Sequence, residues 1–218
     1  MPHIRNLFFC LVLPAIIFYG CKPHGMLLRP GDEVFSKQAP PVFRVLLETT
    51  KGNIMLEVRR EWAPHGADRF YNLVRYGYYN QAAFFRIRTG TWAQFGIAGN
   101  PKIAQAWRRQ TIPDDSLREQ NVRGTVAYAF KDHNGRTTQV FINLRDNRPT
   151  FDIEPFVPFA KVISGMDVAD SLYSAYGEKA GGGIRAGHQD SVFAGGNHYL
   201  ENNFPKLDYI RKATIIKE

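Results

Sequence analysis

The chain has 218 residues, 44% of them hydrophobic and 13% aromatic, enough to bury the core of one domain. Its formal charge is +8, yet the lysines and arginines are scattered, and no zinc-ligand spacing, RNP-like block or basic helix accompanies them, which argues against a nucleic-acid partner. A basic surface suits anionic phospholipid, acidic unfolded chains or simple solubility.

The first twenty residues carry His3 and Arg5 ahead of an apolar run over residues 7–19, then the small Gly20. This is the pattern of a secretory signal, and the run, broken by Pro14, is too short to span a bilayer. Phe18-Tyr19-Gly20-Cys21 resembles a bacterial lipoprotein cleavage box, with Phe18 and Tyr19 departing from its usual residues. Cys21 would then become the acylated first residue, and its chains would hold the domain on a membrane without a spanning helix. The expected location is the cell envelope, lipid-anchored and facing the periplasm or exterior. Cys10 leaves with the signal and Cys21 is modified, so a disulfide framework, a cysteine nucleophile and a thiolate metal site are all excluded.

Residues 21–41, rich in proline and glycine and without apolar periodicity, read as a linker; residues 42–218 form the domain. Alternation over residues 42–48 and 53–58 around Lys51-Gly52 predicts a hairpin. Ala67, Phe70, Tyr71 and Val74 at helical spacing predict a helix over residues 64–76. Strands are predicted over residues 84–87, 91–95, 125–130, 139–144 and 156–163. A second helix over residues 167–175 follows, with Ser164 and Asp167 at capping-box spacing. Residues 177–205, with Gly181-Gly182-Gly183 and Gly195-Gly196, read as a surface excursion before a last strand over residues 213–217. Asp114 and Asp115 and the Arg108-Arg109 pair read as solvated loop charge. The six histidines show no paired metal-site spacing, so no metal or cofactor is expected. Many short strands with two helices predict a mainly β fold, a closed antiparallel barrel capped at both ends.

The most informative stretch is residues 83–96. Strand residues alternate faces, so Phe84, Arg86 and Arg88 share one side, and Trp92, Gln94 and Gly96 share a side beyond the Thr89-Gly90 turn. Gln139, Phe141 and Asn143 repeat the period. An arginine and amides among aromatic rings can hold a proline ring.

These blocks resemble cyclophilin-type peptidyl-prolyl cis/trans isomerases over roughly residues 43–172. The resemblance also takes in Leu47-Glu48-Thr49-Thr50-Lys51-Gly52, Phe70-Tyr71-Asn72-Leu73-Val74, Asn121-Val122-Arg123-Gly124-Thr125-Val126-Ala127-Tyr128-Ala129 and Phe159-Ala160-Lys161-Val162-Ile163-Ser164-Gly165-Met166. It implies a cyclophilin-like barrel and an isomerase that needs no cofactor and takes proline-containing polypeptides, here exported ones. Arg86 and Gln94 would be catalytic, and Phe141, Trp92, Phe151, Phe156, Ala129, Phe130, Gln139 and Thr91 would line the substrate groove. Several positions differ from the common pattern: Phe85 and Phe156 stand where histidines are usual, Thr91 where phenylalanine is, Trp92 where methionine is, and Phe151 where leucine is. The alternative on the same fold is a chaperone that binds proline loops without turning them over.

Overall fold

The computed structural model describes residues 25–181 and 189–216. The proposed signal and Cys21 therefore lie outside the described residues, as do Gly182 and Gly183.

Among the described residues nine strands form one antiparallel sheet: β1 Val42–Thr49, β2 Asn53–Arg59, β3 Ala82–Ala83, β4 Arg86–Arg88, β5 Trp92–Phe95, β6 Thr125–Tyr128, β7 Val140–Asn143, β8 Pro158–Ser164 and β9 Tyr209–Ile216. Their order is β3-β9-β1-β2-β8-β6-β7-β5-β4. The β1–β2 hairpin turns at Gly52, whose φ of +135° few other residues adopt, and the Thr49 hydroxyl donates to the Gly52 carbonyl at 2.7 Å. Alternation does the rest: Phe43, Val45 and Leu47 of β1 and Ile54, Leu56 and Val58 of β2 are buried, and their neighbours are more exposed.

Among the described residues the ladder has two ends, at β3 and β4, with only Phe84 and Phe85 between them in sequence, so no hydrogen-bonded pairing closes the ring. The expected closure thus gives way to a curled sheet. Both intervening rings are buried. A β3 of two residues offers too little backbone for a ladder across that gap.

Five α-helices, not two, lie among the described residues: α1 Pro64–Arg75, α2 Pro101–Trp107, α3 Arg148–Phe151, α4 Met166–Asp170 and α5 Asp190–Asn203. In α1 the proline sits at the helix start, where its missing N–H costs nothing, and Ala67, Phe70, Leu73 and Val74 face inward against β8 and β9. Asp115 accepts from the backbone N–H groups of His65 (3.0 Å) and Gly66 (2.9 Å) at that start. It is a helix cap and not idle loop charge. The second expected helix is the shorter α4, and Ser164 does not cap it; Gly165, at φ +87°, occupies that corner. The excursion holds α5, kinked at Gly196, which buries Val192, Phe193 and Leu200. Its spacing is irregular because two glycines interrupt the apolar stripe.

Residues 26–39, expected as linker, are laid on the domain. Leu27, Phe35 and Ala39 are buried, the Trp107 indole donates to the Leu27 carbonyl at 2.8 Å, and the Phe35 ring meets Trp107 at 4.8 Å and Tyr76 at 4.9 Å. Single apolar anchors between prolines dock such a segment without any period, which is why composition misled. No helix of the described residues is long and apolar enough to cross a membrane.

Candidate active site

Four strands bring the expected residues into one row. Arg86 of β4 pairs across to Gln94 of β5, Gln94 to Phe141 of β7, and Phe141 to Ala127 of β6. Because side chains alternate, Val140 and Ile142 enter the main core while Phe141 turns to the opposite face. There it joins Trp92 and Ala127 in a separate apolar cluster, flanked by Ala129, Phe151 and Phe156.

The rings form a continuous wall. Phe141 stands edge-on to Phe151 and Phe156, each at 5.4 Å; Phe151 and Phe156 lie 4.8 Å apart, and Phe130 adds its ring to Phe156 at 4.7 Å. Phe141 is almost wholly buried, whereas Phe130, Phe151 and Phe156 keep partial exposure, so the wall has a face that a ligand can cover. Phe130 thus takes part through its ring, with the Arg136 guanidinium 4.3 Å from its centre. Thr91 is different. Its carbonyl accepts from Leu144 N–H and the Asn147 amide, both at 2.9 Å, which fixes the backbone at the start of β5 beside Trp92.

Arg86 is 9% exposed, and its guanidinium lies 4.6 Å from the centre of the Trp92 ring. One terminal nitrogen donates to Gln94 Oε1 at 3.0 Å and the other to Glu178 Oε1 at 3.1 Å. The third, Nε, is buried and has no hydrogen-bond partner among the described residues. Burial pushes the guanidinium below its ordinary pKa, and the Glu178 carboxylate pulls it back up. Gln94 in turn donates from Nε2 to Gln139 Oε1 at 2.8 Å, and Gln139 donates to Gln189 Oε1 at 2.8 Å. The arginine sits beside the rings and faces away from bulk water.

Several supporting residues escape sequence reading. Asn121 donates to the Phe156 carbonyl (2.6 Å) and to Asp152 (2.8 Å), fixing the turn that carries Phe151 and Phe156. Asn143 donates to Asn121 (3.2 Å) and Asn147 donates to Asn143 (2.7 Å), so one amide chain joins that turn to the start of β5. Asn143 is visible as a face-mate of Phe141; of its partners, Asn121 and Thr125 are remote in sequence. Arg136 donates to the Pro155 carbonyl at 2.7 Å and pairs with Asp114, which is therefore part of the scaffold and not solvated charge. Arg108 likewise lies 4.6 Å from the Phe193 ring. Gly96 ends β5 at φ +111°, and a side-chain carbon there would come within 2.4 Å of the Thr138 carbonyl. Only glycine lets the strand end against Thr138.

Comparison with known proteins points one way. Residues 44–184 match the sequence family described as cyclophilin type peptidyl-prolyl cis-trans isomerase/CLD. The chain is 32% identical over 150 residues to peptidyl-prolyl cis-trans isomerase A of Dickeya dadantii, covering 63% of this chain and 74% of that one. It is 30% identical over 182 residues to peptidyl-prolyl cis-trans isomerase B of Escherichia coli, covering 80% of this chain and 99% of that one. A similar fold occurs in a Cryptosporidium parvum cyclophilin type peptidyl-prolyl cis-trans isomerase crystallised in the presence of the dipeptide Ala-Pro. The TM-score is 0.56 at 17% identity, over 80% of this chain and 99% of that one.

Proposed function

Since the chain belongs to the cyclophilin-type peptidyl-prolyl cis-trans isomerases, we propose that its arginine-and-ring groove speeds rotation about X-Pro bonds of bound polypeptides. The observation that carries this reading is the buried Arg86 guanidinium held 3.0 Å from Gln94 and 4.6 Å from the Trp92 ring.

Rotation about a peptide bond is opposed by a barrier of ~18–20 kcal/mol, because nitrogen's lone pair is delocalised into the carbonyl. The step cuts no bond, so neither a nucleophile nor a leaving group is required. Phe141, Trp92, Phe151 and Phe156 would hold the pyrrolidine ring and shed water that otherwise favours the charge-separated planar amide. As the bond twists, nitrogen recovers a localised lone pair, and an Arg86 N–H directed at it gains a hydrogen bond absent from either planar state. Gln94 holds the guanidinium; Gln139, Ala129 and Phe130 would line the path of the flanking peptide. A thousandfold acceleration needs only about 4 kcal/mol, the scale of one charge-assisted hydrogen bond plus desolvation.

The charged start, the apolar run over residues 7–19 and Cys21 support export and acylation, with residues 42–218 acting on exported polypeptides at the cell envelope. The mass of the membrane-extracted protein checks this: cleavage before Cys21 plus acyl chains is the expected result, and an unprocessed terminus would end the idea.

Exchange spectroscopy on a short X-Pro peptide tests the chemistry. Substoichiometric protein is expected to produce cis/trans exchange cross-peaks, and Arg86→Lys, which keeps the charge but loses the planar fork, to lower the exchange rate by about a hundredfold, or ~2.7 kcal/mol. Peptide binding without exchange, unaltered by that substitution, would identify the non-catalytic chaperone instead.

A further inference from the structure

The hydrogen bonds at the groove form one chain whose two ends come from the same stretch of sequence. It runs from Glu178 to Arg86, Gln94, Gln139 and Gln189. Glu178 and Gln189 both belong to the excursion after α4, and Gln189, directly before α5, lies beyond the stretch that matches the family.

The excursion is built onto the strand that carries the arginine. β4 ends the sheet, and an end strand presents unpaired backbone groups on its outer side. Ile87 N–H donates to the Gly177 carbonyl at 3.0 Å, so the backbone beside Glu178 takes up part of that edge. Gly181, three residues on, is so close that an added side-chain carbon would lie 3.0 Å from the Phe85 ring and 3.2 Å from Arg86 Cβ. At the other end, α5 is fastened where Asn197 N–H donates to the Gly99 carbonyl at 2.9 Å and its amide to the Gln81 carbonyl at 2.9 Å. One anchor is thus fixed to β4 through its backbone and the other to the loops at Gln81 and Gly99, through contacts other than the side-chain relay itself.

We propose that Glu178 and Gln189 are positioning residues for the isomerase reaction, gripping the two ends of a side-chain relay that fixes the plane of the Arg86 guanidinium. The proposal rests on the isomerase reading above and adds to it the source of the arginine's alignment. An arginine side chain has four rotatable bonds, and holding both terminal nitrogens removes most of that freedom before substrate arrives. The grip leaves Nε without a partner among the described residues, and each terminal nitrogen keeps a second N–H. A hydrogen bond to a twisting nitrogen depends steeply on angle, so alignment belongs to the rate and not to ground-state binding, which the rings supply. Gln189 Oε1 accepts from Gln139, and its buried Nε2 has no partner among the described residues, leaving a donor at the relay's end.

The test combines kinetics with the arginine's own signal. Glu178→Gln keeps the shape but removes the charge; Gln189→Ala cuts the far end; Lys179→Ala changes an exposed neighbour in the same segment. In the wild-type protein, hindered rotation should give Arg86 resolved guanidinium N–H resonances in NMR spectra. Glu178→Gln should merge them and lower kcat about tenfold with KM nearly unchanged, Gln189→Ala should do the same more weakly, and Lys179→Ala should do neither. Folded variants with wild-type kcat, or resonances that stay resolved in Glu178→Gln, would overturn the proposal. A wild-type protein that accelerates no exchange would overturn the isomerase reading on which it rests, and the guanidinium resonances would still report the grip separately.

Discussion

The strand Val140–Asn143 faces two different environments, and the contrast separates what holds this molecule together from what it does. On one side Val140 and Ile142 enter a core of fully buried groups; on the other, Phe141 enters a patch of six apolar residues, three of them only partly covered. The core side is finished without a ligand. The groove side has rings whose burial is incomplete, so its remaining apolar surface is available to something that binds. One backbone thus supports both, and period-two alternation is enough to keep them apart.

This contrast predicts opposite signatures for aromatic deletions. Phe159 is fully buried, packed against Phe70 at 5.0 Å and Tyr128 at 5.1 Å. Phe159→Ala should cost ~4 kcal/mol in urea unfolding, with unaltered turnover per folded molecule. A loss below ~1 kcal/mol would mean that the core can collapse around the gap.

The core also contains ionisable groups that the groove lacks. Tyr78, Tyr79 and Tyr128 are buried and neutral, with the Tyr79 hydroxyl donating to the Thr138 carbonyl at 2.9 Å and Tyr128 to the Gly66 carbonyl at 3.2 Å. Burial pushes Tyr78 up to about 12 and raises the other two as well. Each folded value lies above the unfolded one, so this stability is complete below about pH 10 and is lost as pH climbs through the folded value. Unfolding free energies should hold up to about pH 10 and then fall towards pH 12 by ~1.4 kcal/mol per pH unit for each such tyrosine, and Tyr78→Phe should flatten the slope.

The smallest effect should come from the groove itself. Phe151→Ala removes a partly exposed ring from the wall; KM for a proline peptide should rise several-fold, on the order of 1 kcal/mol, with a smaller change in unfolding free energy. A loss of stability as large as that of Phe159→Ala would break the distinction between the two faces.

Much of this was legible in the sequence. The period of residues 86–95 and 140–143 is set by backbone geometry, so it placed Arg86, Gln94 and Phe141 on one face correctly; Phe84, expected beside Arg86, precedes β4 and turns instead into the main core, 5.1 Å from the Phe95 ring. The β1–β2 hairpin and α1 were legible for the same reason: a turn glycine and an apolar stripe are local facts. What stayed hidden depends on contacts between distant segments. Nothing near Glu178 or Gln189 marks them as partners of Arg86 and Gln139, and the Asn147 amide that holds the Thr91 carbonyl is equally invisible in one dimension. The same holds for residues 26–39, whose docking rests on a few isolated anchors.

The sheet order has a temporal side. β9, latest of the nine strands in sequence, is hydrogen-bonded to β1 and β3 and to none of the strands that carry the groove. As the chain leaves the ribosome, every partner of Arg86, Phe141 and the ring wall has emerged before β9, whereas β1 keeps one bare edge until β9 arrives. The groove-bearing half of the molecule is therefore complete in composition while the other half still awaits its last strand, a difference that arrested nascent chains of increasing length would record.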